Sequence, residues 1–113
     1  MSRILITGGA GYVGSLLTIN LEKLGHEVLI YDICFYGKDH IQTSAKLKII
    51  EGDIRDKNKF ESAVQGCDIV IHLACISNDP SFALNEELSK TINFDCFEDL
   101  VKISKKNKVK RFI

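Results

Sequence analysis

The chain has 113 residues, the length of one modest domain. Its 15 lysines and arginines balance 15 aspartates and glutamates, with 45% of residues hydrophobic and 27% charged. That composition excludes a disordered chain and a collagenous repeat. The charge balance argues against a dedicated nucleic-acid binder. No apolar run reaches the ~18 residues needed to span a bilayer, and the opening residues lack a secretory-leader pattern. A cytoplasmic protein with no membrane and no nucleic-acid partner is expected. Cys34, Cys67, Cys75 and Cys96 show no Cys-x-x-Cys spacing and no paired histidines. No metal is therefore expected, and Cys34, Cys75 and Cys96, set among apolar neighbours, are expected to be buried reduced thiols.

In chain order, Arg3 to Thr7 is a short apolar run, a first strand, ending at Gly8-Gly9-Ala10-Gly11. Val13, Leu16, Leu17, Leu21 and Leu24 then recur at helical spacing, and Gly25 is a helix stop. Val28 to Asp32 is a second strand and Lys46 to Glu51 a third. Asp56 caps a short helix through Val64. Asp68 to Ala74 is a fourth strand, and its near-continuous apolar character suits a central position buried on both faces. Asn85 begins a long helix to about Lys106, with Leu88, Ile92, Cys96, Leu100 and Ser104 on one i, i+4 line. Val109 to Ile113 starts a fifth strand, so the first part of a longer protein is expected. The alternation implies an α/β domain with a mostly parallel sheet and right-handed crossovers.

Gly8, Gly11 and Gly14 form Gly-x-x-Gly-x-x-Gly between a strand and a helix. Glycine tolerates the positive φ that such a turn needs. A bare Gly11 lets a pyrophosphate approach the main chain, and Gly14 allows close helix packing. The helix start offers unpaired N–H groups and its positive dipole end to phosphate. Asp32 ends the second strand, 18 residues past Gly14, and Ile4 to Asp32 spans 29 residues, one βαβ unit. A carboxylate there accepts both ribose hydroxyls of adenosine and repels a 2′-phosphate, favouring NAD over NADP. A P-loop is a poor rival because Ser15 stands where lysine is required. A methyl-donor site with Gly9-Ala10-Gly11 as its glycine pair is a weaker alternative, since no acidic residue precedes the glycines.

Together these motifs resemble the extended short-chain dehydrogenase/reductase family, in its NAD-dependent epimerase/dehydratase group acting on nucleotide sugars. Thr7 to Gly14 resembles its Thr-Gly-x-x-Gly-x-x-Gly. Asp32 to Gly37 resembles Asp-Asn-Leu-x-x-Gly, with Ile33 and Cys34 in place of asparagine and leucine. Gly52-Asp53-Ile54-Arg55-Asp56 resembles the turn after the third strand, and His72-Leu73-Ala74-Cys75 the end of the fourth. Asn93 resembles the asparagine of Asn-Val-x-Gly-Thr, with Cys96 and Phe97 departing from glycine and threonine.

The resemblance implies a Rossmann-type doubly wound parallel sheet over residues 1–113, truncated after the fifth strand, with NAD as cofactor. It implies a cofactor site built from Gly8, Gly11, Tyr12, Val13, Gly14, Asp32, Gly37, Asp53, Ile54, Leu73, Ala74, Cys75 and Asn93. Asp53 and the Ile54 N–H would read adenine. His72 is read as a packed or hydrogen-bonded histidine rather than a catalyst. A nucleotide-sugar substrate and a homodimer of the intact protein are also implied. The family's catalytic Tyr-x-x-x-Lys is not formed here: Tyr12, Tyr31 and Tyr36 are followed four residues on by Leu16, Phe35 and His40. No catalytic residue is assigned. A catalytically silent dinucleotide-binding sensor stays open beside the enzyme.

Overall fold

Five short apolar segments pair into one parallel sheet. The computed structural model describes residues 1–34, 37, 39–74 and 96–113. The strands are β1 (Arg3–Thr7), β2 (Glu27–Asp32), β3 (Leu47–Glu51), β4 (Ile69–His72) and β5 (Arg111–Phe112), and the helices are α1 (Tyr12–Lys23), α2 (Lys57–Val64) and α3 (Phe97–Lys106). The strand order is β3-β2-β1-β4-β5 and every pairing is parallel. This is the expected doubly wound arrangement. The chain goes from β1 to β2 on one side and resumes at β4 on the other, so the order reverses at β1.

β1, at the centre, is buried on both faces from Ile4 to Thr7. β4 and β5 are shorter as regular strands than the sequence suggests. Their pairing nonetheless continues past the ends, through Leu73 N–H to Thr7 O (2.9 Å), Ile113 N–H to Val70 O (2.9 Å) and His72 N–H to Ile113 O (2.8 Å). Asp56 caps α2 as expected, its side chain accepting the Lys59 N–H at 3.1 Å.

Alternate residues of each strand feed two cores. Leu5, Leu29, Tyr31 and Val70 meet Phe60, Ala63 and Val64 of α2 and Leu100 of α3. Ile4, Ile6, Val28 and Ile30 face the other way, where Leu17 and Leu21 of α1 pack. Cys96, at the cap of α3, and Leu100 and Ser104 within it are buried along one line, as the spacing predicts; positions 85–95 of the expected helix lie outside the described residues. Cys67 and Cys96 are buried, whereas Cys34 is only half-buried, against the expectation. Among the described residues no helix is long and apolar enough to cross a membrane.

The inward face of α1 differs from the expected one. Val13, Leu16 and Leu24 are exposed, and the buried positions are Gly14 and Thr18, flanked by half-buried Leu17 and Leu21. The phase is set at the start of the helix. A side chain at Gly14 would lie 2.5 Å from Gly8 O and 2.6 Å from Gly9 Cα, so the glycine must face the turn. One turn later Thr18 and Leu17 follow it inward.

Candidate functional site

Because all strands are parallel, their carboxyl ends share one edge. The register pairs Thr7 with Tyr31 and with His72, and Asp32 with Glu51. That edge therefore collects the glycine turn after β1, Asp32 ending β2, the Gly52–Asp53 turn after β3 and Leu73–Ala74 after β4. In open α/β sheets, ligands bind outside the carboxyl ends where strand order reverses.

The three glycines of the turn have different reasons. Gly8 has φ +74°, and a Cβ there would sit 2.7 Å from Ala74 N, so both conformation and space demand glycine. Gly14 is required by close packing alone. Gly11 is under a weaker demand than either: it caps α1 with φ −75°, open to any residue, and a Cβ would press on one atom, Gly8 O, at 3.3 Å. Its bareness leaves open space at the helix start. Gly11 also supplies no capping side chain, so the first-turn N–H groups of Tyr12, Val13 and Gly14 have no side-chain oxygen from the cap. The Tyr12 and Val13 side chains themselves lie outward, 85% and 63% exposed. A bare backbone at a positive helix end is a cradle that fits a phosphate-type anion.

Asp32 stands beside this cradle and holds it. Its Oδ2 accepts the Ala10 N–H (3.0 Å) and its Oδ1 the Cys34 N–H (2.6 Å). A carboxylate has about four acceptor positions, so each oxygen retains capacity for a ribose hydroxyl. Gly37 has φ +84° and closes a turn after β2 through its N–H to Cys34 O (3.0 Å).

Gly52 N–H donates to Asp32 O (2.8 Å), which brings the Asp53 turn alongside Asp32. The Asp53 carboxylate is gripped by Arg55, through the Arg55 N–H (2.9 Å), Nε (3.0 Å to each oxygen) and Nη2. The Arg55 guanidinium holds the Asp53 carboxyl below the usual carboxylate range. Ile54 is buried beneath the turn. Tyr31 braces it from inside: its hydroxyl donates to Asp53 O (2.8 Å), and its ring fills the space where a Gly52 side chain would go.

At β4, Leu73 N–H (3.1 Å) and Ala74 N–H (3.3 Å) both reach Thr7 Oγ1, which also contacts His72 Nδ1 at 2.7 Å. His72 packs in a three-ring cluster with Phe97 and Phe112, each ring centroid 5.9 Å away. It is hydrogen-bonded and packed, as read from the sequence. Cys75 and Asn93 lie outside the described residues.

Sequence reasoning missed three participants. Arg55 was open to discovery, since an Asp-x-Arg turn places opposite charges two residues apart. Tyr31 gave only its apolar strand position as a signal. His40, whose Nε2 lies 2.8 Å from Ala10 O, had no local signal.

The chain and its fold are similar to known proteins. The model of the NAD dependent epimerase/dehydratase family matches residues 4–113. A UDP-N-acetyl-alpha-D-glucosaminuronate decarboxylase from Bacillus cytotoxicus is 39% identical over 111 residues, covering 96% of this chain and 34% of its own. The epimerase Mth375 from Methanothermobacter thermautotrophicus superposes with a TM-score of 0.90 at 30% identity, covering 98% of this chain and 34% of that one. WbmG of Bordetella bronchiseptica, crystallised in complex with NAD, superposes with a TM-score of 0.84 at 33% identity, covering 98% and 36%. The chain thus spans about a third of the length of these relatives. With the family pattern matched almost end to end and the sheet order and glycine turn in place, the chain belongs to the NAD-dependent epimerase/dehydratase family.

Proposed function

We propose that residues 1–113 form the dinucleotide-binding part of an NAD-dependent enzyme that modifies nucleotide sugars. The observation that carries the reading is Gly11. Its backbone angles do not require glycine and a Cβ would press on only one atom of the chain, Gly8 O, so the bareness at the start of α1 fits an occupant from outside the chain. A dinucleotide diphosphate matches that surface in charge and shape.

In this reading Gly8, Gly11 and Gly14 shape the cradle, and the Tyr12 and Val13 N–H groups donate to phosphate. Asp32 takes the ribose hydroxyls and disfavours a 2′-phosphate. Asp53 and the Ile54 N–H face adenine, with Arg55 holding the Asp53 carboxylate in place. Leu73 and Ala74 border the path of the cofactor across the sheet, and Gly37, Cys75 and Asn93 join the site by resemblance. NAD held by these residues would supply a hydride acceptor for oxidation of a sugar carbinol carbon. The names of the relatives support a nucleotide-sugar substrate: the Bacillus decarboxylase is named for a UDP-sugar acid, and WbmG was also crystallised with NAD and UDP. Residues 1–113 contain no Tyr-x-x-x-Lys, so no residue here is given the acid/base step, and the part proposed for them is to hold the dinucleotide.

Fluorescence titration of the chain with NADH tests this. Saturable binding is expected, lost in Gly11→Val while the circular dichroism melt is retained. Binding of S-adenosylmethionine with indifference to NADH would overturn it in favour of a methyl-donor site.

A further inference from the structure

Ala10 is held from both sides. Its N–H donates to Asp32 Oδ2 at 3.0 Å, and its carbonyl oxygen lies 2.8 Å from His40 Nε2. A carbonyl oxygen only accepts, so His40 carries a proton on Nε2 and donates it. The peptide linking Ala10 to Gly11 is therefore fixed at both polar ends, its oxygen by His40 and its N–H by Gly8 O at 3.1 Å. This peptide leads directly into the bare helix start. His40 reaches it from the segment after β2, 30 residues away in sequence. The neighbouring Ile41 packs against the core on the α1 side of the sheet and anchors the segment.

We propose that His40 is a positioning residue for the dinucleotide: it occupies the Ala10 carbonyl and locks the Ala10–Gly11 peptide plane, so that the cradle is formed before the diphosphate arrives. Without this donor the plane is held only by the Gly11 N–H to Gly8 O, the carbonyl keeps an unscreened negative dipole end beside the phosphates, and more of the cradle must be ordered on binding. The inference rests on the dinucleotide reading above and adds a residue remote in sequence from the glycine motif.

The test compares the wild-type chain, His40→Ala and His40→Gln by NADH fluorescence titration and thermal melting, with a long-range 15N–1H imidazole spectrum of the wild type. Loss of one such hydrogen bond is expected to weaken NADH binding about tenfold in His40→Ala, with an unchanged melt. His40→Gln, whose amide N–H can donate to the same oxygen, is expected to recover affinity to within about threefold of wild type. The spectrum is expected to show Nε2 protonated. Wild-type affinity in His40→Ala, no recovery in His40→Gln, or an unprotonated Nε2 overturns the proposal while the dinucleotide reading stands. A wild-type chain that ignores NADH overturns both. Should His40→Ala fail to fold, His40→Gln and the imidazole spectrum decide by the same criteria.

Discussion

The Thr7 hydroxyl and the His72 imidazole meet at 2.7 Å across the carboxyl ends of β1 and β4. Thr7 Oγ1 already accepts from the Leu73 and Ala74 N–H groups, so its own proton lies in the bond to His72, whose Nδ1 accepts. Burial holds His72 below its ordinary value of 6.5. The unfolded chain therefore takes up this proton first as pH falls. The stability contributed by neutral His72 is whole above pH 6.5 and declines as pH drops through the depressed native value. Denaturant melts from about pH 7.5 to pH 5 are expected to show this loss, and His72→Gln is expected to flatten it. Thr7→Val, which keeps the shape and removes the hydroxyl, is expected to cost about 1–3 kcal/mol in urea denaturation by stranding the Ala74 N–H and His72 Nδ1, while the Leu73 N–H keeps the Thr7 carbonyl.

Gly11 and Gly14 separate fold from function. In Gly14→Ala the new Cβ strikes backbone, Gly8 O at 2.5 Å, and a loss of about 1–3 kcal/mol is expected. In Gly11→Ala the only close atom is Gly8 O at 3.3 Å, so stability is expected to change by no more than about 1 kcal/mol. NADH affinity is nevertheless expected to fall at least about tenfold, or 1.4 kcal/mol. Paired thermal melts and fluorescence titrations give both numbers; equal effects of the two variants on stability would contradict the assignment of Gly11.

Asp32 acts on charge as well as geometry. Asp32→Asn retains one oxygen for the two backbone donors and removes the negative charge. Its NAD affinity is expected to fall, and its discrimination against NADP to relax by about tenfold, which isothermal titration with both cofactors measures. Asp32→Ala is expected to lose more, because the Ala10 and Cys34 N–H groups are then both without their acceptor. An unchanged preference in both variants removes Asp32 from its role.

Tyr31 sets the alkaline limit of the fold. Its phenol is pushed up to about 12 by burial first, and then by the nearby Asp56 and Asp53 charges. A raised native value means that its contribution to stability is complete below pH 10 and is lost as pH rises through about 12. Tyr31→Phe is expected to remove that alkaline loss and, by giving up the bond to Asp53 O, to cost about 1 kcal/mol at neutral pH. Absorbance titration of tyrosinate alongside unfolding checks both.

What was legible in the sequence was local or periodic. The glycine turn, Asp32 and the Asp56 cap announce themselves within a few residues, and β1 and β2 read as strands from their apolar runs; the central, doubly buried place expected of the fourth strand falls instead to β1, since in β4 only Val70 is buried. The phase of α1 was not legible. Apolar residues lie all round that helix, and only the packing of Gly14 against Gly8 and Gly9 chooses among the stripes. Thr7 and His72 are 65 residues apart and meet only because β1 pairs with β4, which spacing alone does not state. His40 reaches Ala10 through a segment with no regular pattern, so its role emerges only in three dimensions.

Tyr31 has one foot in the interior and one at the rim. Its ring meets Phe60 edge-on at 5.8 Å, while its hydroxyl holds the Asp53 carbonyl. Trimming Phe60 of α2 would remove the support behind the phenol and let the Asp53 turn, proposed above to face adenine, shift with it. On the dinucleotide reading, coenzyme grip would then respond to remote repacking, and a search for altered cofactor preference should include interior positions such as Phe60.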